Sequence, residues 1–386
     1  MHPTTRLLLG ASLTLALVMG VGRFLYTPLL PLMQREFGFG ADIAGLIASA
    51  NFAGYLAGSL LSSFTSHGKA RLMAFRVGLF ASVATTLLMG MSDELAGWLI
   101  LRAISGAASA FAMISAAGMT AEALSRIDEE GRLAWVFGGV GSGIAVSGLI
   151  VHFGVDHLDA SSLWLLVGAI SAALMPIALA LVGDRQLPRR DTIAKRIRRV
   201  ARPLPFWPLF VNYTCEGLGY SVFATFIVAL IKARPGIEAL GDFVWIIVGL
   251  AGLPSCLIWM RLAERIGFST ALACAYVAQI VGVALPVLFE APIAAVIAAI
   301  LFGGTFLAIT LLTLPLGRKG LGGRGFAVLT AGFGLGQMTG PLIAGWLVAG
   351  AADYSTPMLG SAGVLAFGLL ALVYAIRTRQ DAAPAS

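Results

Sequence analysis

Apolar runs long enough to cross a bilayer follow one another through this chain with almost nothing between them. A spanning helix needs about 20 apolar residues, and twelve such runs fit, at roughly 7–34, 42–65, 71–91, 95–122, 131–153, 161–182, 204–231, 242–263, 269–289, 291–316, 325–350 and 357–377. Only 12% of the 386 residues are charged, against 58% apolar. A soluble surface of this size needs about twice that share of charge. The expected fold is therefore all-α and polytopic, with twelve transmembrane helices and no soluble domain of any size. The first run is not read as a signal peptide. It is too long, and it runs through Pro28 and Pro31 without a small-residue cleavage site.

Charge placement orients the spans. Of 26 Lys and Arg, 21 fall on the side that carries the termini and the 183–203 segment, three (Arg35, Lys232, Arg234) on the other side, and two, Arg23 and Arg102, within spans. That imbalance places both termini in the cytoplasm, and the expected location is a bacterial inner membrane. The basic excess is thus a topology signal, and no nucleic-acid partner is expected. Cys215, Cys256 and Cys274 all lie in apolar segments and suggest no disulfide framework. No metal cluster, phosphate loop or nucleophile–base pair stands out, so neither an enzyme nor a cofactor is expected.

The basic stretch 183–203 is the one long connection, read as a solvated linker or a short interfacial helix. It divides the chain into a six-helix unit at 1–182 and another, with a short tail, at 204–386. An offset of 197 residues superposes GVGRFLYTP (20–28) on GLGYSVFAT (217–225), Gly106 on Gly303, and GVGSGIAVSG (139–148) on GQMTGPLIAG (336–345). The halves are expected to be structural copies.

With these features the chain resembles the major facilitator superfamily over nearly its whole length. The resemblance rests on the two six-span halves, on Arg102 in LRAISGAASA (101–110), and on RLAERIG (261–267), where Glu264 stands in the usual acidic place. The runs GVGRFLYTPLLPLM (20–33) and ASANFAGYLAG (48–58) are similar to the YbfB/YjiJ branch. Two positions depart from the pattern: Thr65 replaces the acidic residue of the first-half loop, and Ile144 stands where antiporters carry Pro. A G-x-x-x-G-P stretch occurs instead at Gly336–Pro341. The resemblance implies two pseudo-symmetric halves, alternating access, and a central cavity lined by spans 1, 4, 7 and 10.

Ionisable groups at bilayer depth are expensive and mark function by default. Three qualify: Arg23 in span 1, Arg102 in span 4 and Glu216 in span 7. Their repeat partners are Tyr220, Ala299 and Met19, so the fold itself does not demand the charges. Helical spacing puts Met19, Arg23 and Tyr26 on one face and Tyr213, Glu216, Tyr220 and Phe223 on another. Arg23, with Tyr26, Asn51, Tyr55, Tyr213 and Tyr220, is the expected substrate site, because a planar fork of donors suits a carboxylate. Arg102 either contributes to the cavity or anchors helices.

Glu216 and Arg102 are the expected proton-coupling residues, with Glu216 taking up and releasing the proton. Low dielectric favours a neutral carboxyl and a neighbouring guanidinium an ionised one, so substrate on the arginine would switch it. Gln279 and Gln337 read as interhelical hydrogen bonds, and His152 and His157 as solvated. Trp245, Trp259 and Trp346 fit either an interface belt or packing. Gly139, Gly143 and Gly148 in span 5, and Gly336, Gly340 and Gly345 in span 11, form close-packing seams expected between the halves. The overall expectation is a monomeric, proton-coupled symporter of a small organic anion. The alternatives are an exporter of amphipathic compounds anchored by Glu216 and, from another class, a non-transporting sensor or scaffold.

Overall fold

The structure, a computed structural model, describes residues 3–65, 68–127, 129–182, 203–317, 325–351 and 353–381. In lipid every backbone donor and acceptor must be satisfied within the chain, which leaves helices or closed barrels. Among the described residues there is no strand. Twelve helices have the length and apolarity of membrane spans: Thr4–Phe37, Ala41–Thr65, Gly68–Met89, Leu95–Ser125, Leu133–Gly154, Ala160–Val182, Phe206–Lys232, Leu240–Ile266, Phe268–Leu288, Pro292–Leu316, Gly325–Gly350 and Ser355–Arg379. They are numbered spans 1 to 12. Each end lies within three residues of the sequence reading. The basic connection at 183–203, apart from Pro203, and Arg318, Lys319 and Arg324 lie outside the described residues.

An even number of crossings puts residues 3 and 381 on one face, called proximal; the other is distal. Glycine sets how close the spans come. A Cβ at Gly139 would run into the Ser12 backbone, and one at Gly143 into Ala16, so span 5 lies backbone to backbone on span 1. The second half repeats this pairing, with Gly336 against Thr214 and Gly340 against Leu218 in span 7. These four glycines therefore sit inside the halves, whereas the sequence reading placed them between the halves. Other glycines of the same spans make the contact between halves. Gly141 and Gly249 close spans 5 and 8, with Gly148 against Ile246. Gly45 faces the Pro341 carbonyl and Gly345 faces Ala41, closing spans 2 and 11. Glu264 is exposed near the proximal end of span 8.

The distal ends of the two halves meet. The Thr27 hydroxyl donates to the Ala224 carbonyl at 2.6 Å, and the Tyr354 hydroxyl approaches Gln34 Oε1 at 3.5 Å. Charged side chains there are tied locally, Lys232 to Asp242 at 2.5 Å and Arg234 to the Pro286 carbonyl at 2.6 Å. The tryptophans divide. Trp245 is buried beside Phe24, Trp346 is 72% exposed, and Trp259 donates to the Gly304 carbonyl at 2.7 Å. His152 does not stand free in solvent; its ring packs on Phe243 of span 8 with centroids 4.4 Å apart.

Candidate functional site

Span 1 is not a continuous α-helix. Its α-helical turns end at Leu15, Ala16–Val21 is π-helical, residues 22–25 form turns, and α-helix resumes at Tyr26. Pro28 has no N–H to offer the Phe24 carbonyl, which takes the Thr27 N–H instead at 3.3 Å. That exchange leaves the Arg23 carbonyl without its helical donor. A single residue repairs the break: Arg102 donates from Nη1 to the Gly22 carbonyl at 2.9 Å and from Nη2 to the Arg23 carbonyl at 2.8 Å. Ser105 adds a third bond to the Gly22 carbonyl at 3.0 Å. Asn51 in span 2 donates to the Arg102 carbonyl at 3.0 Å, and Gly106 lets span 2 approach near enough for that.

Of the two readings of Arg102, this geometry matches the anchor. Both terminal nitrogens are committed to span 1 backbone, and the guanidinium carbon lies 5.3 Å from the Tyr26 ring centre. Tyr26 is itself turned to span 2, donating to the Ala44 carbonyl at 3.0 Å. Arg102→Ala would orphan the buried Arg23 carbonyl, at about 1–3 kcal/mol, and leave the Gly22 carbonyl with Ser105 alone. Thermal melting of the solubilised variant is expected to show a loss of about 3 kcal/mol, little of it restored in Arg102→Lys, which cannot reach both acceptors.

Arg23 points the other way, into the space between the halves. It is 4% exposed, with Nη2 on Gln337 Oε1 at 2.8 Å. Among the described residues Nε has no hydrogen-bond partner and no carboxylate pairs with the guanidinium. Aromatic rings line it on the side of the first half: its carbon is 4.0 Å from the Tyr55 ring centre, 4.7 Å from Phe52 and 5.6 Å from Phe24. The second half offers a row of near-parallel rings. Tyr213 stacks on Phe333 at 4.4 Å and 13°, Phe333 faces Tyr220 at 5.7 Å and 4°, and Tyr220 faces Phe306 at 6.2 Å and 16°. Gln337 bridges the two sides, since its Nε2 donates to the Tyr220 hydroxyl.

Glu216 does not join this group. Its Oε1 accepts from Gln279 Nε2 of span 9 at 2.8 Å, within the second half, and no cation stands beside it among the described residues. Its Oε2 and Gln279 Oε1 are buried without hydrogen-bond partners. The residues Tyr55, Tyr213 and Tyr220 do gather with Arg23, whereas Asn51 and Tyr26 serve the packing of span 2. Sequence reasoning missed Gln337, Phe333, Phe306, Phe52 and Phe24 as members of the site. Phe302 and Phe306, one turn apart in span 10 and stacked at 5.3 Å, were the available signal.

Twelve membrane-length helices packed as two halves have the architecture of a major facilitator transporter, and the comparisons agree. Residues 15–373 match the family model described as uncharacterised MFS-type transporter YbfB, and the chain belongs to that family. It is 31% identical over 94 residues to the uncharacterised MFS-type transporter YceJ of Bacillus subtilis (strain 168). That alignment covers about a quarter (24%) of each protein. Two structures of the nucleoside transporter NupG superpose with TM-scores of 0.72, for a point variant, and 0.71, at 16% and 15% identity. They cover 95% and 98% of this chain and 99% and 100% of theirs. The protein is a multi-pass membrane transporter acting on a small-molecule solute, and not an enzyme.

Proposed function

We propose that this transporter moves a small organic anion together with a proton, as a symporter of the bacterial inner membrane with both chain ends in the cytoplasm. The observation that carries the reading is Arg23: a buried guanidinium between the halves, without a carboxylate partner among the described residues and with Nε unbonded. A buried charge is costly unless paired, and a ligand carboxylate supplies the pair. NupG moves nucleosides by its name; a likeness at this level of identity extends to the fold alone, and a neutral solute would leave Arg23 uncompensated.

Glu216 is the proposed proton carrier. An ionised carboxylate in low dielectric without a cation is unfavourable, and proton uptake removes that cost. Gln279 offers a bond to either form. With residues 1–182 and 204–386 as the rocking units, span 5 carries Ile144 in place of the antiporter Pro, in keeping with uptake. The exporter reading has less support, since the Glu216 carboxylate accepts from Gln279 of span 9.

The test is flux in proteoliposomes. Labelled monocarboxylates, presented outside at pH 6 with the lumen at pH 7, are expected to accumulate above their external concentration, and a protonophore should abolish that accumulation. Accumulation indifferent to the protonophore would remove the proton from the mechanism.

A further inference from the structure

The identity of the anion can be narrowed. We infer that the substrate is a planar aromatic monocarboxylate, bound with its carboxylate on the Nε–Nη2 edge of Arg23 in place of the Gln337 amide and its ring beside Tyr220. This rests on the proposed reading of Arg23 as an anion site.

The edge of the guanidinium gives the first argument. Nε and Nη2 lie on the same side of the planar fork and together match the two oxygens of a carboxylate. In this structure Gln337 Oε1 fills only the Nη2 position, at 2.8 Å, and Nε is left buried without a partner. An amide has one acceptor atom to give; its other atom is an NH2, which cannot accept from Nε. Gln337 thus occupies half of a carboxylate site, and a ligand carboxylate satisfies both donors at once.

Charge gives the second. Arg102 is committed to two carbonyls, and Glu216 to Gln279 in another part of the second half. Among the described residues that leaves Arg23 as the buried guanidinium whose Nε–Nη2 edge is not held by backbone carbonyls, and one such edge takes one carboxylate. A dianion would bring a second, unpaired one into the same low-dielectric space. A zwitterion would need a carboxylate here for its ammonium, and a sugar would need several donors and acceptors. The surroundings are Phe24, Phe52, Tyr55, Phe306, Phe333 and Tyr220.

Ring geometry gives the third. The rings of the second half share nearly one orientation, and their widest spacings, 5.7 and 6.2 Å, flank Tyr220. Tyr220 is also the ring whose hydroxyl Gln337 holds. Displacing Gln337 therefore opens the guanidinium edge and the loosest point of the aromatic row in one movement. Flat apolar faces favour another ring in an offset stack.

The experiment measures binding to the purified full-length protein by calorimetry and thermal shift. The probes are benzoate, its aliphatic counterpart heptanoate, the neutral benzamide, the dianion phthalate and the nucleoside uridine. Benzoate is expected to bind at least tenfold more tightly than heptanoate, with benzamide, phthalate and uridine giving no response. Gln337→Leu removes the competing amide and is expected to tighten benzoate several-fold. Gln337→Glu puts a carboxylate on Arg23 and is expected to melt higher than wild type while losing benzoate. Heptanoate binding as well as benzoate would overturn the aromatic assignment and leave the anion reading standing. Uridine or benzamide binding without any carboxylate, or no response from any probe, would overturn both. Weaker benzoate binding in Gln337→Leu would overturn the displacement of the amide.

Discussion

Replacing Arg23 by alanine is expected to weaken monocarboxylate binding by roughly 100-fold or more, the scale for removing one partner of a buried charge pair. The same change should leave folding intact. Among the described residues Arg23 gives the protein a hydrogen bond to Gln337 and ring-face contacts to Tyr55, Phe52 and Phe24, and in return buries a cation without a carboxylate partner. Its removal takes away an unfavourable buried charge along with that bond, so the melting temperature of Arg23→Ala should match or exceed that of wild type. The two readouts together separate a binding residue from an anchor. Arg102, with both terminal nitrogens on backbone, is expected to behave in the opposite way. Arg23→Lys keeps the charge and loses the two-donor edge, so calorimetry should place it between wild type and alanine, about tenfold weaker than wild type. A melting temperature that collapses in Arg23→Ala, with affinity per folded molecule unchanged, would make Arg23 a packing residue and end the anion reading.

How much of this was legible in the sequence follows from what lipid forbids. Backbone at bilayer depth has few ways to satisfy itself, so apolar length alone located every span. Arg23 was legible for a related reason: its burial is costly, and its repeat partner Tyr220 manages without charge. The direction of Glu216 was not. Positions 216 and 220 differ by about 40° around an α-helix, too little to tell the space between the halves from the contact with span 9. Gln337 was hidden because an amide in a span reads the same whether it joins two helices or stands in for a ligand, and here it does join Arg23 to Tyr220. The glycines misled through their spacing. In span 5, Gly139 and Gly143 serve span 1 while Gly141 and Gly148 serve span 8. Those stripes interleave in sequence, and only the packing assigns them. The break in span 1 was visible as Pro28 and Pro31, but the π-helical turn before it carries no proline and was read as continuous helix.

Glu216→Gln is expected to abolish accumulation while leaving the carrier able to bind and exchange. The substitution is nearly isosteric, and the glutamine carbonyl still accepts from Gln279 Nε2, so the contact between spans 7 and 9 survives. Monocarboxylate affinity should remain within a few-fold of wild type, because Arg23 and its rings are untouched. What the variant lacks is a group that alternates between charged and neutral. In wild type a monovalent anion carried with one proton moves no net charge. Accumulation then follows the pH gradient alone, about tenfold per pH unit, since 1.4 kcal/mol corresponds to tenfold. An imposed membrane potential should leave it unchanged. In Glu216→Gln, with no membrane potential imposed, the internal and external concentrations should meet at a ratio near one at any pH gradient, while counterflow of labelled against unlabelled substrate proceeds. These measurements assign the proton to this carboxyl in particular, since its Oε2 is buried without a hydrogen-bond partner while Oε1 accepts from Gln279. Accumulation in Glu216→Gln equal to wild type would show that the proton travels by another route. Loss of counterflow along with accumulation would show that Glu216 holds the span 7–span 9 contact and carries nothing.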